Sequence, residues 1–143
     1  MPAELQSKVK TVKKMTDNKG GGTAETPSAT TDKIFLLSST EVWGDLDSDG
    51  TQYEYYKSKG VTTSNYSGAS SSYYHWARSV YPNNSASLRS VYSDGDCNSS
   101  SATSVRYVCP AFCLLTFCPI SRHMDKGPHN PARAFLLVSV RTF

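Results

Sequence analysis

Tyrosine, serine and asparagine crowd the middle of this chain, and the chemistry they offer is reversible recognition. A tyrosine ring gives a large amphipathic contact at low entropy cost, while serine, glycine and asparagine give adaptable hydrogen bonds, as in antibody binding loops. The plain alternative is a solvated, loop-rich surface. Our candidates for ligand contact are Tyr73, Tyr74, His75, Tyr81, Asn83, Asn84, Tyr92, Asp94, Asp96 and Asn98.

An acidic loop matches the first half of a calcium-binding loop. Asp45, Asp47 and Asp49 occupy its first, third and fifth positions, and a glycine follows at the sixth. Position twelve is Tyr56, where such loops carry a bidentate glutamate. Because an Asp/Ser/Gly turn needs no metal, calcium is the weaker interpretation and the first expectation is no cofactor.

Catalytic chemistry has little support. No Gly-x-Ser-x-Gly elbow and no phosphate-binding glycine loop occurs, and two of the three histidines lie near the C-terminus. A zinc site could be drawn from Cys109, Cys113, Cys118, His123 and His129. These residues lack the paired Cys-x-x-Cys spacing, so we favour free thiols and expect no enzyme activity.

The N-terminal elements that must position these residues are short. Apolar residues spaced by three or four within 2–15 suit a short amphipathic helix, or the end of one. Residues 16–32 are rich in glycine, threonine and serine, which predicts a loop or flexible strap. The run from Ile34 to Leu37 predicts a buried strand.

Later segments predict a helix and several strands. Residues 52–57 are typical of a one- or two-turn helix that ends before Gly60, and Asp94-Gly95 predicts a hairpin turn. Residues 61–104 predict short strands joined by long loops, and alternation at 105–109 predicts a final strand. Arg78 is expected to tie loop carbonyls together with its five donors. The expected core residues are Ile34 to Leu37, Trp43, Tyr53, Trp76, Val91, Val105 and Phe112.

Length and charge narrow the functional classes. The chain has 143 residues, enough for one domain, and its net charge of +3 comes largely from its two ends. The near-neutral middle argues against a nucleic-acid partner. No apolar stretch is long enough to span a membrane, and residues 1–10 lack a signal-peptide core, which favours a soluble, cytoplasmic start.

Five segments, in this order and spacing, resemble a family of uncharacterised domains abundant in gut bacteria and their phages. The segments are Thr31 to Ser38, Glu41 to Gly44, Gly50 to Lys57, Trp76 to Ser79 and Pro110 to Leu114. That family looks like a branch of the C-type-lectin and formylglycine-generating-enzyme fold superfamily. Some of its members resemble the variable proteins of diversity-generating retroelements.

The resemblance implies an α+β, C-type-lectin-like fold with short strands and long loops. Residues 2–18 resemble the middle of the family's domain, so an N-terminal truncation is expected. The implied organisation is a partial helix and strap over 1–32, a core over 33–114 and an atypical tail over 115–143. Disorder, a frameshift or a read-through is the interpretation of that tail.

By resemblance, the first functional expectation is a module that binds a protein or glycan ligand through a surface diversified by a retroelement. Adenine-directed mutagenesis produces mostly Ser, Tyr, Asp, His and Gly codons, and those residues crowd this segment. The alternative is a structural part of a phage particle, and a metal-dependent oxidase of the formylglycine-generating type is less favoured. Localisation is thus open between cytoplasm and phage particle, and the oligomeric state is unknown.

Overall fold

Short helices and short antiparallel strands alternate along the chain. The computed structural model describes residues 1–17, 26–44 and 46–114. In order, the elements are α1 (Ala3–Lys8), β1 (Val9–Lys10), β2 (Val12–Thr16), β3 (Ser28–Asp32), α2 (Ser39–Trp43), α3 (Glu54–Ser58), a 3₁₀ turn (Ser67–Ala69), β4 (His75–Tyr81), β5 (Asn84–Val91), β6 (Cys97–Ser101) and β7 (Cys113–Leu114). The presence of both helices and antiparallel sheets confirms the predicted α+β class.

Three antiparallel sheets are present in the described part of the chain. β1 pairs with β7, β2 pairs with β3, and β4, β5 and β6 form the largest sheet in that order. In the largest sheet His75 faces Val91 at one end, and Tyr81 faces Asn84 at the other. At about 3.3 Å per residue, the two ends of β4 lie roughly 20 Å apart.

The N-terminal region is more extended than the apolar spacing predicts. The helix ends at Lys8, and the chain from Val9 to Thr16 forms strands. The strap prediction is wrong for Ser28–Asp32, which pairs residue by residue with β2. The side chains of β3 are almost all exposed, so a segment whose one apolar residue is Ala29 can supply a strand through backbone hydrogen bonds.

The predicted strand at 34–37 is also wrong. Only Phe35 pairs, in a single antiparallel bridge with Ala111, and Ile34 is 54% exposed. The chain cannot continue as a strand because Ser38 already caps α2. At 105–109 the expected final strand reduces to one bridge between Tyr107 and His75, and Val105 is 92% exposed.

A small apolar core lies between α2, the loop after α3 and the end of β5. Its buried members are Val42, Trp43, Val61, Ala69 and Val91. Trp43, Val91 and Phe112 confirm the predicted core, whereas Ile34 and Val105 contradict it. The predicted helix at 52–57 and the turn at Asp94-Gly95 are both present. Among the described residues, no helix is long and apolar enough to cross a membrane.

Candidate functional site

An open groove with aromatic walls lies at the end of the largest sheet where β4 begins and β5 ends. Its volume is about 340 Å³. Its lining residues are Ser72, Tyr73, Tyr74, Ser93, Val105, Arg106 and Tyr107. We call it the tyrosine groove.

The three tyrosines that line the groove belong to two ring pairs, whose fourth member, Tyr92, is not a lining residue. The rings of Tyr74 and Tyr92 stack with centroids 4.5 Å apart and planes 14° apart. Those of Tyr73 and Tyr107 are also 4.5 Å apart, tilted by 34°. Tyr73 and Tyr107 are each 58% exposed and Tyr74 is 42% exposed, so large parts of these rings face solvent.

Backbone hydrogen bonds hold one wall of the groove. The Tyr107 amide donates to the Tyr74 carbonyl at 3.0 Å, and the Tyr107 carbonyl accepts from the Trp76 amide at 3.0 Å. These bonds join the 105–107 segment to the start of β4. Because no side chain takes part in them, the tyrosine rings are available for contact with a ligand.

The other wall is the hairpin between β5 and β6, which is fixed to the core at Gly95. The Trp43 indole donates from Nε1 to the Gly95 carbonyl at 3.0 Å. Gly95 has φ +97°, and a Cβ there would lie 2.1 Å from the Tyr66 carbonyl oxygen. A glycine is therefore required, since the left-handed backbone and the close approach both exclude a side chain.

Arg106 supplies a cation to the groove. Its Nε donates to Ser100 Oγ at 3.2 Å and its Nη1 donates to the Val105 carbonyl at 2.9 Å. The guanidinium carbon lies 5.9 Å from the centroid of the Tyr74 ring. The guanidinium is thus held in place beside the aromatic wall.

His75 lies behind the groove and is half-buried. Its Nδ1 is 3.1 Å from the Tyr73 carbonyl and 3.4 Å from Ser71 Oγ. Burial lowers the pKa of His75, against a smaller opposing effect of the hydrogen bond to Tyr73. A neutral ring that donates to a carbonyl is consistent with these contacts.

The structure divides the ten candidate residues between the two ends of the sheet. Tyr73, Tyr74 and Tyr92 belong to the ring pairs of the groove. Asp94 and Asp96 lie on the adjoining hairpin, Asn98 lies on β6 and His75 begins β4, and none of these four lines the groove. The three that lie at the opposite end of β4 and β5 are Tyr81, Asn83 and Asn84.

Sequence reasoning did not assign Val105, Arg106 and Tyr107 to the site. Their alternation placed them in a strand, whereas the chain there is irregular apart from one bridge. A usable signal was the Arg-Tyr pair itself, because arginine and tyrosine are enriched where surfaces bind partners.

A second polar constellation, which we call the buried cluster, lies inside the fold. Lys14, Glu41 and Arg78 form its first half, and the Lys14 ammonium and the Arg78 guanidinium both pair with the Glu41 carboxylate. Arg78 Nη1 lies 2.6 Å from Glu41 Oε2. The Ser38 amide also donates to that carboxylate, completing the capping box of α2.

Arg78 ties three separate segments together, as predicted. Its remaining donors reach the carbonyl oxygens of Met15, Leu36 and Asp49 at 2.8 to 3.1 Å. With the bond to Glu41, all five guanidinium N–H groups are used. The prediction that Arg78 binds loop carbonyls is confirmed for Leu36 and Asp49, whereas the Met15 carbonyl belongs to β2.

Asp47 and Asp49 form the second half of the buried cluster. Asp47 Oδ2 accepts from Ser39 and lies 3.3 Å from Arg89 Nε, while Asp49 Oδ2 accepts from Ser79 at 2.6 Å. Burial is the largest effect on Asp49 and raises the pKa of its carboxyl, although Ser79 and Arg78 oppose the shift. Within the described part of the chain, Oδ1 of each aspartate is buried without a hydrogen-bond partner.

The calcium prediction rests on this loop and is not settled by it. Asp45 lies outside the described residues. Asp47 directs one oxygen toward the Ser39 hydroxyl and the Arg89 guanidinium. Asp49 directs one oxygen toward the Ser79 hydroxyl. Among the described residues, no group of three or more His, Cys, Asp or Glu side chains is placed to hold a metal ion. Calcium binding stays a prediction.

The zinc alternative falls largely outside the described residues. Cys118, His123 and His129 lie there, so their placement is not described. Cys109 and Cys113, together with Cys97, are free thiols.

Comparison with known proteins places the chain in one family. No curated protein and no solved structure matches it. A family model described as a domain of unknown function, DUF6273, matches residues 1–116. Since this match covers most of the chain, the protein belongs to the DUF6273 family.

Proposed function

We propose that this chain is a non-enzymatic binding module that recognises a protein or glycan ligand at the tyrosine groove. The observation that carries the proposal is the exposure of three tyrosines, Tyr73, Tyr74 and Tyr107, that line a groove of about 340 Å³. Ligand sites usually occupy about 300–1,000 Å³ and combine aromatic walls with a few polar groups. The exposed faces of these tyrosine rings can bury apolar area only against a bound ligand.

The groove offers poor support for covalent catalysis. Within the described residues, one imidazole neighbours the groove, that of His75, and its Nδ1 is shared between the Tyr73 carbonyl and Ser71 Oγ. The 3.4 Å separation from Ser71 is longer than the 2.6–3.2 Å or so expected between a base and the group it activates. Moreover, the Ser71 hydroxyl donates to the Tyr73 carbonyl at 2.8 Å. Binding is therefore favoured over acyl or group transfer.

The C-type-lectin-like fold and a diversified surface form part of this proposal. Short helices, a small antiparallel sheet and long irregular segments beside the groove are consistent with that fold. Backbone atoms make the bonds that join Tyr74, Trp76 and Tyr107. Side chains at Tyr73, Tyr74 and Tyr107 could therefore vary without loss of these bonds, as a diversified binding surface requires.

The test compares the two ends of the sheet. Tyr73→Ser/Tyr107→Ser removes two groove rings, and Tyr81→Ser removes an exposed ring at the far end. We expect the wild type to bind members of a printed glycan array or a phage-displayed random peptide library, with binding at least tenfold weaker in the groove variant. The Tyr81→Ser protein should stay within about twofold of wild type.

Two results would reject this function. One is binding that survives the groove variant but is lost in Tyr81→Ser, which would place the site at the opposite end. The other is a wild-type chain that binds neither the array nor the library, as a purely structural component would behave. Circular dichroism of each variant establishes that a loss of binding is not a loss of fold.

A further inference from the structure

We propose that the groove takes a sugar ring that carries a negative charge, and that Arg106 recognises the charge. This inference rests on the proposed binding function and specifies its ligand class. Its starting point is the difference between Arg106 and the two arginines of the buried cluster.

Arg78 and Arg89 face carboxylates inside the protein, at 2.6 Å from Glu41 and 3.3 Å from Asp47. Arg106 has no ion-pair partner among the described residues, although this residue lines the groove. Its Nε and Nη1 are engaged by Ser100 and the Val105 carbonyl, and Nη2 makes no hydrogen bond within the described ranges. A fixed guanidinium with a spare amino group is suited to a carboxylate, sulfate or phosphate oxygen.

The Asp94 carboxylate, close to the groove, is already engaged in the hairpin turn. The Asp94 carboxylate accepts a hydrogen bond from the Asp96 amide at 3.0 Å. Neither Asp94 nor Asp96 lies within ion-pair distance of Arg106. The groove therefore combines one positive charge with aromatic faces and hydroxyl groups, a set that is complementary to an anionic ligand with a hydroxylated ring.

Size favours a sugar over a folded protein partner. Seven residues line the groove, whereas a standard protein interface uses about 20–30 residues on each side. The partly positive C–H face of a pyranose suits the negative face of a tyrosine ring. Ser72 and Ser93 add side-chain hydroxyls that can exchange hydrogen bonds with those of a sugar.

The experiment uses matched ligands that differ in charge alone or nearly so. Isothermal titration calorimetry on the full chain compares trigalacturonic acid with its methyl ester, sialyllactose with its methyl ester, and a sulfated with an unsulfated galactoside. We expect at least one acid to bind tenfold or more tightly than its neutral partner. Arg106→Gln should reduce that preference to twofold or less, Arg106→Lys should keep part of it, and the exposed-site control Lys57→Gln should keep all of it.

Each other result overturns the inference in a recognisable way. Equal binding of acid and neutral sugars, lost in Tyr107→Ser, would reject charge recognition and leave the binding function intact. A preference for the acid that persists in Arg106→Gln would mean that another residue recognises the negative charge of the sugar. If no sugar of the three pairs binds while library peptides bind through the same tyrosines, the ligand is a peptide and not a sugar. Failure of both sugars and peptides would reject the binding function itself.

Discussion

The buried cluster and the tyrosine groove differ in where their chemical groups find partners. In the cluster, Lys14, Arg78 and Arg89 are mostly buried and face carboxylates of the same chain. In the groove, tyrosine rings and Arg106 are partly exposed and contact mainly one another and backbone atoms. The polar groups are thus inside and much of the aromatic surface is outside.

This inversion separates residues that specify the fold from residues that are free to bind. A buried ion pair gives little net stability compared with apolar packing, but breaking one leaves a charge without compensation. Truncating an exposed tyrosine should change the free energy of unfolding little. Its effect should be large only on the binding of a ligand that covers the ring. Substitutions in the cluster should therefore act on stability, and substitutions in the groove should act on binding.

The largest effect is expected for Arg78→Met. The change removes five hydrogen bonds and leaves the Glu41 carboxylate buried with Lys14 as its remaining cation. We expect the free energy of unfolding to fall by about 3–5 kcal/mol, measured by urea denaturation. Arg106→Met is the matched control and should change it by about 0.5 kcal/mol or less.

If Arg78→Met and Arg106→Met lowered the free energy of unfolding equally, the distinction between a stabilising cluster and a binding groove would be wrong. If Arg78→Met cost less than about 1 kcal/mol, the cluster would be a consequence of the fold and not one of its determinants. Cooperative unfolding should be checked in both variants, because a sloping transition would make the two free energies incomparable.

The sequence was informative where the signal was local. Gln52 to Lys57 and Asp94-Gly95 carry their own helix and turn signals, and the structure has both. The role of Arg78 was predicted correctly from its chemistry, because the five donors of a guanidinium can bind several backbone carbonyls at once. The helix and the turn depend on neighbours within a few residues, so their prediction needs no knowledge of the tertiary fold.

Non-local pairing explains what was missed. Ser28–Asp32 becomes a strand because β2 lies beside it, and nothing in its Ser/Thr-rich composition reveals that partner. The groove arises because Tyr73 and Tyr74 meet Tyr107 more than thirty residues later, which no local pattern contains. Phe35 was correctly predicted to lie in the core. An apolar run cannot show, however, whether its backbone pairs with another segment at one residue or along a whole strand.

An intermediate effect is expected for Asp49→Asn, which tests whether every charge in the cluster is well compensated. Burial raises the pKa of Asp49 above its ordinary value of 3.8, so the folded state holds this proton more tightly than the unfolded state. Stability from this group is therefore present at low pH and is lost as pH rises through the folded pKa. Asparagine has no proton to lose and can still bind Ser79.

The stability difference between Asp49→Asn and wild type should therefore shift in favour of the variant as pH rises from 4 to 7. At pH 7 the variant should be about 1 kcal/mol more stable, measured by urea denaturation across the pH series. Asp94→Asn, on the exposed hairpin, serves as the control and should show no such trend. A difference that moves the other way would mean that Ser79 and Arg78 outweigh burial at Asp49.

The smallest effect is expected between Tyr73 and Tyr107, and it decides what the groove rings are for. Their contact at 4.5 Å should contribute about 0.5–1 kcal/mol as an exposed aromatic pair, because Tyr107 is held to the sheet by its backbone and not by its ring. Urea denaturation of wild type, Tyr73→Ala, Tyr107→Ala and the double variant gives this coupling directly. A coupling above about 2 kcal/mol would make the pair a structural contact like those of the cluster. A small coupling, combined with the tenfold loss of binding expected when both rings are removed, means that these rings are kept exposed for a ligand rather than for the fold.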